Sequence, residues 1–194
     1  MNTRMATAAL VMLSALSIGA QAPPRTEPIE HFTAKSPMMT SAARLTLRPV
    51  EIVITRWSTY SEHRALAATL NEMGPVTFER LLRHYASAGV VSVMGAPDVA
   101  IRYAWSIGEP NGNRRIYLAT DGPVPLTSAR LHRFPDGEPL TFVELRVNRD
   151  GDGDGKLSEV ARLSVNEITN VIELRDYNGS PCDLLMVRSE RVVD

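Results

Sequence analysis

The sequence has few of the residues that usually signal catalysis or a structural cross-link. Its single cysteine, Cys182, cannot form a disulfide within the chain, so the fold must depend on its hydrophobic core. The four histidines are scattered, and none has the spacing of a zinc motif. The chain also lacks a Gly-x-Ser-x-Gly motif and a glycine-rich phosphate loop. Because a nucleophile needs a base beside it, these absences favour a non-enzymatic protein.

Charges of the two signs are nearly balanced, with 21 lysines and arginines against 22 aspartates and glutamates. Only two of the cations are lysines, Lys35 and Lys156, so arginine carries almost all of the positive charge. A balanced chain has no general electrostatic attraction for nucleic acid or for an anionic membrane. The sequence therefore predicts neither a nucleic-acid partner nor, once its N-terminal segment is removed, a membrane partner.

The first 20 residues have the pattern of an export signal. Arg4 precedes an apolar run over residues 5–19, which is too short to span a bilayer comfortably as a helix. We expect cleavage after Ala20. No cysteine follows the run, so a lipid anchor is not indicated. The expected location of the mature protein is the periplasm or the exterior of a bacterial cell.

Residues 21–46 are rich in proline, serine and threonine and lack an apolar period. This composition predicts a tether, and the alternative is an arm that docks on the domain through side chains such as Phe32 and Met38. The folded part is expected to be a single domain over residues 47–194, which is long enough for one hydrophobic core.

Two helices are expected early in the domain. Thr59 and Glu62 have the spacing of a capping box, which predicts a helix that continues to about Met73. A second helix is predicted to start near Thr77 and to end before Gly89, because its apolar residues recur at helical spacing.

The rest of the domain has the alternating pattern of β-strands. A central hairpin is predicted from residues 99–107 and 114–120, joined by a turn that contains proline, asparagine and glycine. Alternation places five apolar side chains on one core face: Val99, Ile101, Tyr103, Trp105 and Ile107. The expected fold class is α+β, with two N-terminal helices packed on one face of a mainly antiparallel, meander-like sheet.

The segment DGDGDGKLS at residues 150–158 matches the first nine positions of an EF-hand calcium loop. The calcium ligands would be Asp150, Asp152, Asp154, the Lys156 carbonyl and Ser158. The bidentate carboxylate that should follow is missing, because Ala161 stands in its place. The segment is therefore either a weak Ca²⁺ site or a solvated hairpin tip, and the second interpretation is favoured.

A second candidate site lies on the polar face of the predicted sheet. Its members are three arginines and a tyrosine: Arg102, Arg115, Tyr117 and Arg133. Guanidinium groups near an aromatic ring can bind a carboxylate, a phosphate or a sugar acid. The other interpretation, which is favoured, is a solvated face on which the arginines pair with Glu144 and Glu173.

Short segments of the chain resemble an uncharacterised family of exported bacterial proteins found in soil lineages such as acidobacteria. The segments are IVITRWST (52–59), IRYA (101–104), RRI (114–116) and ATDGP (119–123). The resemblance spans residues 51–187 as dispersed matches. It implies an exported, single-domain protein and supplies no activity and no catalytic residues. The corresponding turn in that family is less acidic than residues 151–156, which weakens calcium binding as a shared function.

The leading hypothesis from the sequence is a non-enzymatic module that binds a small molecule or a protein through its sheet face or loops. One alternative is a calcium-stabilised extracellular domain that uses residues 150–158. The other is a hydrolase-type enzyme whose site, built from Cys182 or from paired carboxylates, is assembled only by the fold.

Overall fold

A computed structural model describes residues 28–39, 44–126, 140–158, 161–166, 168–177 and 181–191. The helices in these ranges are α1 (Tyr60–Met73) and α2 (Pro75–Leu82). The strands are β1 (Glu30–Met39), β2 (Leu45–Ile54), β3 (Gly89–Val93), β4 (Val99–Gly108), β5 (Arg114–Thr120), β6 (Phe142–Val147), β7 (Asp152–Ser158), β8 (Ala161–Val165), β9 (Ile172–Tyr177) and β10 (Cys182–Arg191).

Eight of these strands form a closed antiparallel barrel in the order β1, β10, β7, β6, β5, β4, β3, β2. Closure depends on β1, which pairs with β2 over its whole length and with β10 from Glu30 to Lys35. The strands β8 and β9 form a separate two-stranded sheet. The expectation of an open, meander-like sheet with helices on one face is therefore wrong, because the first strand hydrogen-bonds to the last.

The closing strand β1 comes from the segment that was expected to be a tether. Its inward-facing residues include Phe32, Ala34 and Ser36, all of which are buried. Only one of these three side chains is large and apolar, so the strand has little of the hydrophobic alternation that identifies a strand in sequence. The tether prediction is wrong for the described residues of that segment, while residues 1–27, including the expected export signal, lie outside the described residues.

Both predicted helices are present. The Thr59 side chain accepts a hydrogen bond from the Glu62 amide, and the Glu62 carboxylate accepts one from the Thr59 amide, which confirms the capping box. Gly74 ends α1, and α2 starts at Pro75, two residues before its predicted start. Among the described helices, none is long and apolar enough to cross a membrane.

The buried apolar residues form two clusters on opposite sides of the barrel wall. The inner cluster fills the barrel and includes Phe32, Val50, Ile52, Ile54, Val91, Ile101, Ala104, Ile116, Leu118, Leu145, Leu184 and Val187. The outer cluster includes Leu66, Leu70, Phe78, Leu82, Tyr103, Tyr117, Ala119, Phe142 and Ile172. The two helices and β9 therefore pack against the outer surface of β4, β5 and β6.

The apolar face predicted for β4 is interrupted by a β-bulge. The pairing with β5 shifts register between Ile101 and Tyr103, so Arg102 is an extra residue on β4. Ile101 consequently belongs to the inner cluster, whereas Tyr103 belongs to the outer cluster and Trp105 packs against it. The prediction of one continuous face is wrong, because a bulge turns the following side chains to the other side of the sheet.

The Asp–Gly repeat forms most of the barrel strand β7. Its glycines face the barrel interior, where a side chain would not fit: a Cβ on Gly153 would lie 1.8 Å from the Arg146 carbonyl oxygen, and one on Gly155 would lie 2.6 Å from the Leu145 side chain. The aspartates at the alternate positions of β7 are exposed to solvent. Alternate residues of a strand face opposite sides of the sheet. The Asp–Gly repeat therefore places glycine where there is no room for a side chain and aspartate where the side chain meets solvent.

Candidate functional site

Polar side chains meet at one end of the barrel interior, which we call the mouth. The mouth consists of Glu30 at the start of β1, Arg114 at the start of β5, and Ser189 and Arg191 at the end of β10. These residues continue the rows of alternate side chains that form the inner cluster. The inward-facing rows therefore change from apolar to polar and charged at this end of the barrel.

A bulge in β10 directs two mouth residues inward. The pairing of β10 with β7 shifts by one residue between Leu184 and Val187, and Met186 adopts a left-handed φ of 53°. A non-glycine residue rarely adopts this conformation. In a regular strand, the residues on the same face as the inward-facing Leu184 would be the even-numbered ones. Because the bulge adds one residue, the odd-numbered residues Val187, Ser189 and Arg191 face inward instead.

The carboxylate of Glu30 is the centre of the mouth, and its side chain is only 3% exposed. Arg114 donates to both of its oxygens, over 2.5 and 3.2 Å, and the Ser189 hydroxyl donates to Oε1 over 2.5 Å. The Nε atom of Arg191 lies 3.7 Å from the same oxygen. Since β1 and β5 are not neighbours in the barrel, the Glu30–Arg114 pair connects two strands across the mouth.

The mouth opens into a cleft of about 450 Å³, which we call the tryptophan cleft. Trp57 and Trp105 line it together with Glu30, Arg114 and Arg191. Its volume lies in the range of small-molecule pockets, roughly 300–1,000 Å³. The cleft combines two indole rings with a few fixed polar groups, which is a typical composition for such a pocket.

A second cleft of about 360 Å³, the arginine cleft, lies on the other side of Arg114 and Arg191. Arg149 and Asp150 from the turn between β6 and β7 line it as well. The two clefts and Glu30 together contain three guanidinium groups and two carboxylates, which leaves a net charge of about +1 in this region.

His63 of α1 holds Trp105 in place from the outer side of the barrel wall. The two rings are stacked, with centroids 4.2 Å apart and planes 6° apart. The His63 Nδ1 atom lies 2.8 Å from the buried Tyr103 hydroxyl, and the ring also hydrogen-bonds to the backbone of Asn170. Burial lowers the pKa of His63, so its ring is neutral at neutral pH. The histidine is therefore a structural contact between α1, β4 and the segment before β9.

We expect acid to destabilise the protein through His63. Its folded-state pKa lies below the ordinary 6.5, so the unfolded chain binds more protons, and stability falls as the pH drops below about 6.5. Urea-unfolding midpoints measured from about pH 7.5 to 5.5 should show this loss. His63→Phe should reduce the slope, and His84→Gln, at an exposed site, should leave it unchanged. Equal slopes in the wild type and in His63→Phe would contradict this role.

The arginines predicted to form a binding face have carboxylate partners within the chain. Arg102 donates to Asp121 from Nε over 2.9 Å and contacts the same oxygen from a terminal nitrogen at 2.7 Å. Arg115 donates from Nε to Glu109 over 2.6 Å. These arginines stabilise the protein's own loops and turns.

Of the other two members of that predicted site, Tyr117 joins Arg115, because the two side chains are hydrogen-bonded. Tyr117 is buried beneath the helices in the outer cluster, and Arg133 lies outside the described residues. Arg115 pairs with Ile107, five residues along β4 from Arg102, a separation of about 17 Å at strand spacing. The described residues therefore bring Arg115 and Tyr117 together and leave Arg102 apart from them, so the expected site is assembled only in part.

The predicted calcium ligands are not gathered around one point either. Four of them occupy alternate positions of the extended strand β7, and the fifth lies in the turn before it: Asp152, Asp154, Lys156 and Ser158, then Asp150. Six residues of strand extend over about 20 Å, whereas calcium ligands lie within about 2.6 Å of one ion. Among the described residues, no group of three or more histidines, cysteines, aspartates or glutamates could hold a metal ion.

Cys182 also lacks a catalytic partner among the described residues. It packs against the inner cluster, and its sulfur lies 3.2 Å from the Ser36 hydroxyl oxygen. The described histidines have other contacts: His31 with Glu51, His63 with Tyr103, and His84 with the Arg80 carbonyl. His132 lies outside the described residues.

Sequence reasoning missed the mouth because its members come from dispersed segments. Glu30 lies in the stretch expected to be a tether, and Arg191 lies close to the C-terminal end of the sequence. Arg114 begins a predicted strand, but nothing local in the sequence places it beside Glu30. The alternation of Glu30 with Phe32 and Ala34 is the one local signal that β1 belongs to the barrel.

No family model matches this chain, and neither a curated protein nor a solved structure matches it either.

Proposed function

We propose that the protein is an exported, non-enzymatic binding module that holds a small, ring-bearing organic molecule in the tryptophan cleft. The observation that supports this most directly is the placement of the tryptophans. The chain has two of them, and both line this one open cleft. Indole rings present large, flat apolar surfaces on which the ring of a ligand can stack.

The polar groups of the cleft are held in fixed positions, which also supports a binding role. Trp105 is stacked on His63, and Glu30 is held by Arg114 and Ser189. A site that is already ordered loses little conformational freedom when the ligand binds. Both oxygens of Glu30 accept hydrogen bonds from Arg114, so this carboxylate is oriented by the fold.

The location is part of the proposal. It rests on the export-signal pattern of the first 20 residues and on the resemblance to exported bacterial proteins. Produced with those residues in a bacterial host, the protein should be recovered from the periplasm or the medium with Gln21 as its first residue. Recovery from the cytoplasm with Met1 still present would contradict export.

The tryptophan cleft can be tested with N-phenyl-1-naphthylamine, a neutral dye that becomes fluorescent in apolar sites. We expect saturable binding of one dye per folded chain, with energy transfer from the tryptophans, because both line the cleft. Trp57→Leu should weaken the binding by about tenfold or more, as loss of a central tryptophan usually does.

The matched control is Tyr60→Leu. Tyr60 is exposed and lines a separate groove of about 530 Å³ beside α1, on the other side of the outer cluster from the barrel interior. This substitution should leave the dye affinity unchanged. If the folded protein bound no dye, or if Tyr60→Leu removed the binding and Trp57→Leu did not, the proposed function would be wrong.

A further inference from the structure

Among the described residues, Arg149 in the arginine cleft has no carboxylate partner. It is exposed in the turn between β6 and β7, and none of the described carboxylates lies within 4.0 Å of its guanidinium nitrogens. The side chain lies directly against the β4–β5 turn at Gly112. A Cβ on Gly112 would lie 2.0 Å from the Arg149 Nε atom, so a larger residue at this position would displace the arginine.

Arg191 also has N–H groups that are not used in short hydrogen bonds to the described residues. Its side chain is 60% exposed, and its one ion pair among the described residues is the 3.7 Å contact with Glu30. The oxygens of Glu30 already accept shorter hydrogen bonds from Arg114 and Ser189. Among the described residues, no carboxylate oxygen lies closer than 3.7 Å to the guanidinium nitrogens of Arg149 or Arg191 in the arginine cleft.

The two clefts share a wall. Arg114 and Arg191 line both of them, so the tryptophan cleft and the arginine cleft adjoin at this pair of side chains. A ligand that stacks on an indole ring can extend past these arginines into the arginine cleft. The group that enters it meets guanidinium donors, which favour oxygen atoms of an anion.

We propose that Arg149 and Arg191 bind a tetrahedral oxyanion, a phosphate or sulfate group, attached to the ring that lies in the tryptophan cleft. This inference rests on the proposed function and specifies the ligand class as a ring-bearing phosphate or sulfate ester. A guanidinium can donate two parallel N–H bonds to such a group, which gives orientation as well as affinity. The three arginines of the two clefts carry one more charge than the carboxylates of Asp150 and Glu30. This excess of about one positive charge can balance one negative charge on the ligand.

The test uses a matched pair of dyes. Adding one sulfonate to N-phenyl-1-naphthylamine gives 8-anilino-1-naphthalenesulfonate, so the two dyes share a ring system and differ in an oxyanion. We expect the sulfonate dye to bind about tenfold more tightly than the neutral dye, a difference of about 1.4 kcal/mol. Arg149 lines only the arginine cleft, so Arg149→Gln should remove most of that advantage and leave the affinity of the neutral dye unchanged. Arg191→Gln should also remove most of the sulfonate advantage.

Arg188→Gln is the control variant. Arg188 lies on the same strand as Arg191, is 66% exposed and pairs with Asp152 on the outer face of the barrel. Its substitution should preserve the sulfonate advantage. Inorganic phosphate and sulfate should displace the sulfonate dye and not the neutral one, and the difference between them shows which oxyanion is preferred. Chloride at the same ionic strength should displace neither dye.

The two proposals fail in different ways. Equal affinity for the two dyes, with Trp57-dependent binding of the neutral dye, would overturn the oxyanion site and leave the ring-binding site in place. A sulfonate advantage that survives in both arginine variants, or that Arg188→Gln removes equally, would also overturn the oxyanion site. Failure of the folded protein to bind either dye would overturn both proposals. Circular dichroism of each variant verifies that the fold is retained.

Discussion

Replacing Glu30 with alanine is expected to lower the free energy of unfolding by about 3–5 kcal/mol. The substitution leaves the guanidinium of Arg114 without its carboxylate partner. Water cannot fully replace that partner, because the Arg114 side chain is only 17% exposed. A buried charge that has lost its partner costs more than the intact pair contributed, because it has given up its hydration and gained nothing in return. Urea unfolding at about neutral pH measures the loss directly.

Three other variants test the physical reason for this effect. Glu30→Gln keeps the size and one acceptor oxygen, so its loss should be smaller, about 1–3 kcal/mol. Removing both charges with Glu30→Leu/Arg114→Met should recover much of the stability, since an apolar pair of similar volume is tolerated at such sites. Glu190→Ala, at an exposed neighbouring position on β10, should change stability by less than about 0.5 kcal/mol. A loss in Glu30→Ala no larger than in Glu190→Ala would show that the ion pair does not stabilise the mouth.

The second large effect is expected at Gly153, where alanine should cost about 2–4 kcal/mol of stability. The added Cβ would lie 1.8 Å from the Arg146 carbonyl oxygen and 2.8 Å from its carbonyl carbon. These are backbone atoms of the adjacent strand, so no side-chain rotation can relieve the clash. The pairing of Gly153 with Val147 has to separate instead. Thermal and urea unfolding both report the change.

Asp154→Ala is the matched control, one residue along the same strand and on its solvent-exposed face. It should change stability by less than about 0.5 kcal/mol. Millimolar Ca²⁺ should not shift the melting temperature of the wild type relative to EDTA, because the oxygens of β7 do not converge. If the segment were a calcium site, the aspartate variant would be the damaging one, and Ca²⁺ would stabilise the wild type.

Features that depend on a few neighbouring residues could be predicted from the sequence. The capping box of Thr59 and Glu62 requires residues only three positions apart, and it is present as expected. The β4–β5 hairpin is also present, with its turn at the predicted residues between Gly108 and Arg114. In both cases the local chain chemistry decides the structure with little influence from the remainder of the fold.

Features that depend on distant residues could not be predicted. The barrel closes because β1 pairs with β10, and the contact between Glu30 and Ser189 joins residues 159 positions apart. The bulges at Arg102 and Met186 reverse the faces of β4 and β10 without a glycine or proline to mark them. The candidate site depends on both the barrel closure and the β10 bulge. Neither residue composition nor the alternation of apolar residues could therefore predict it.

Closure by the first and last strands also sets the order in which the molecule can be completed. During synthesis β1 can pair with β2 early, but its other partner, β10, follows all the other barrel strands. The carboxylate of Glu30 must wait for Ser189, which is translated 159 residues later. Contacts between such distant residues make folding slow. The chain therefore stays incompletely folded for longer than a protein built from local contacts, which suits a polypeptide that we propose is exported. The mouth is completed only when β10 pairs with β1.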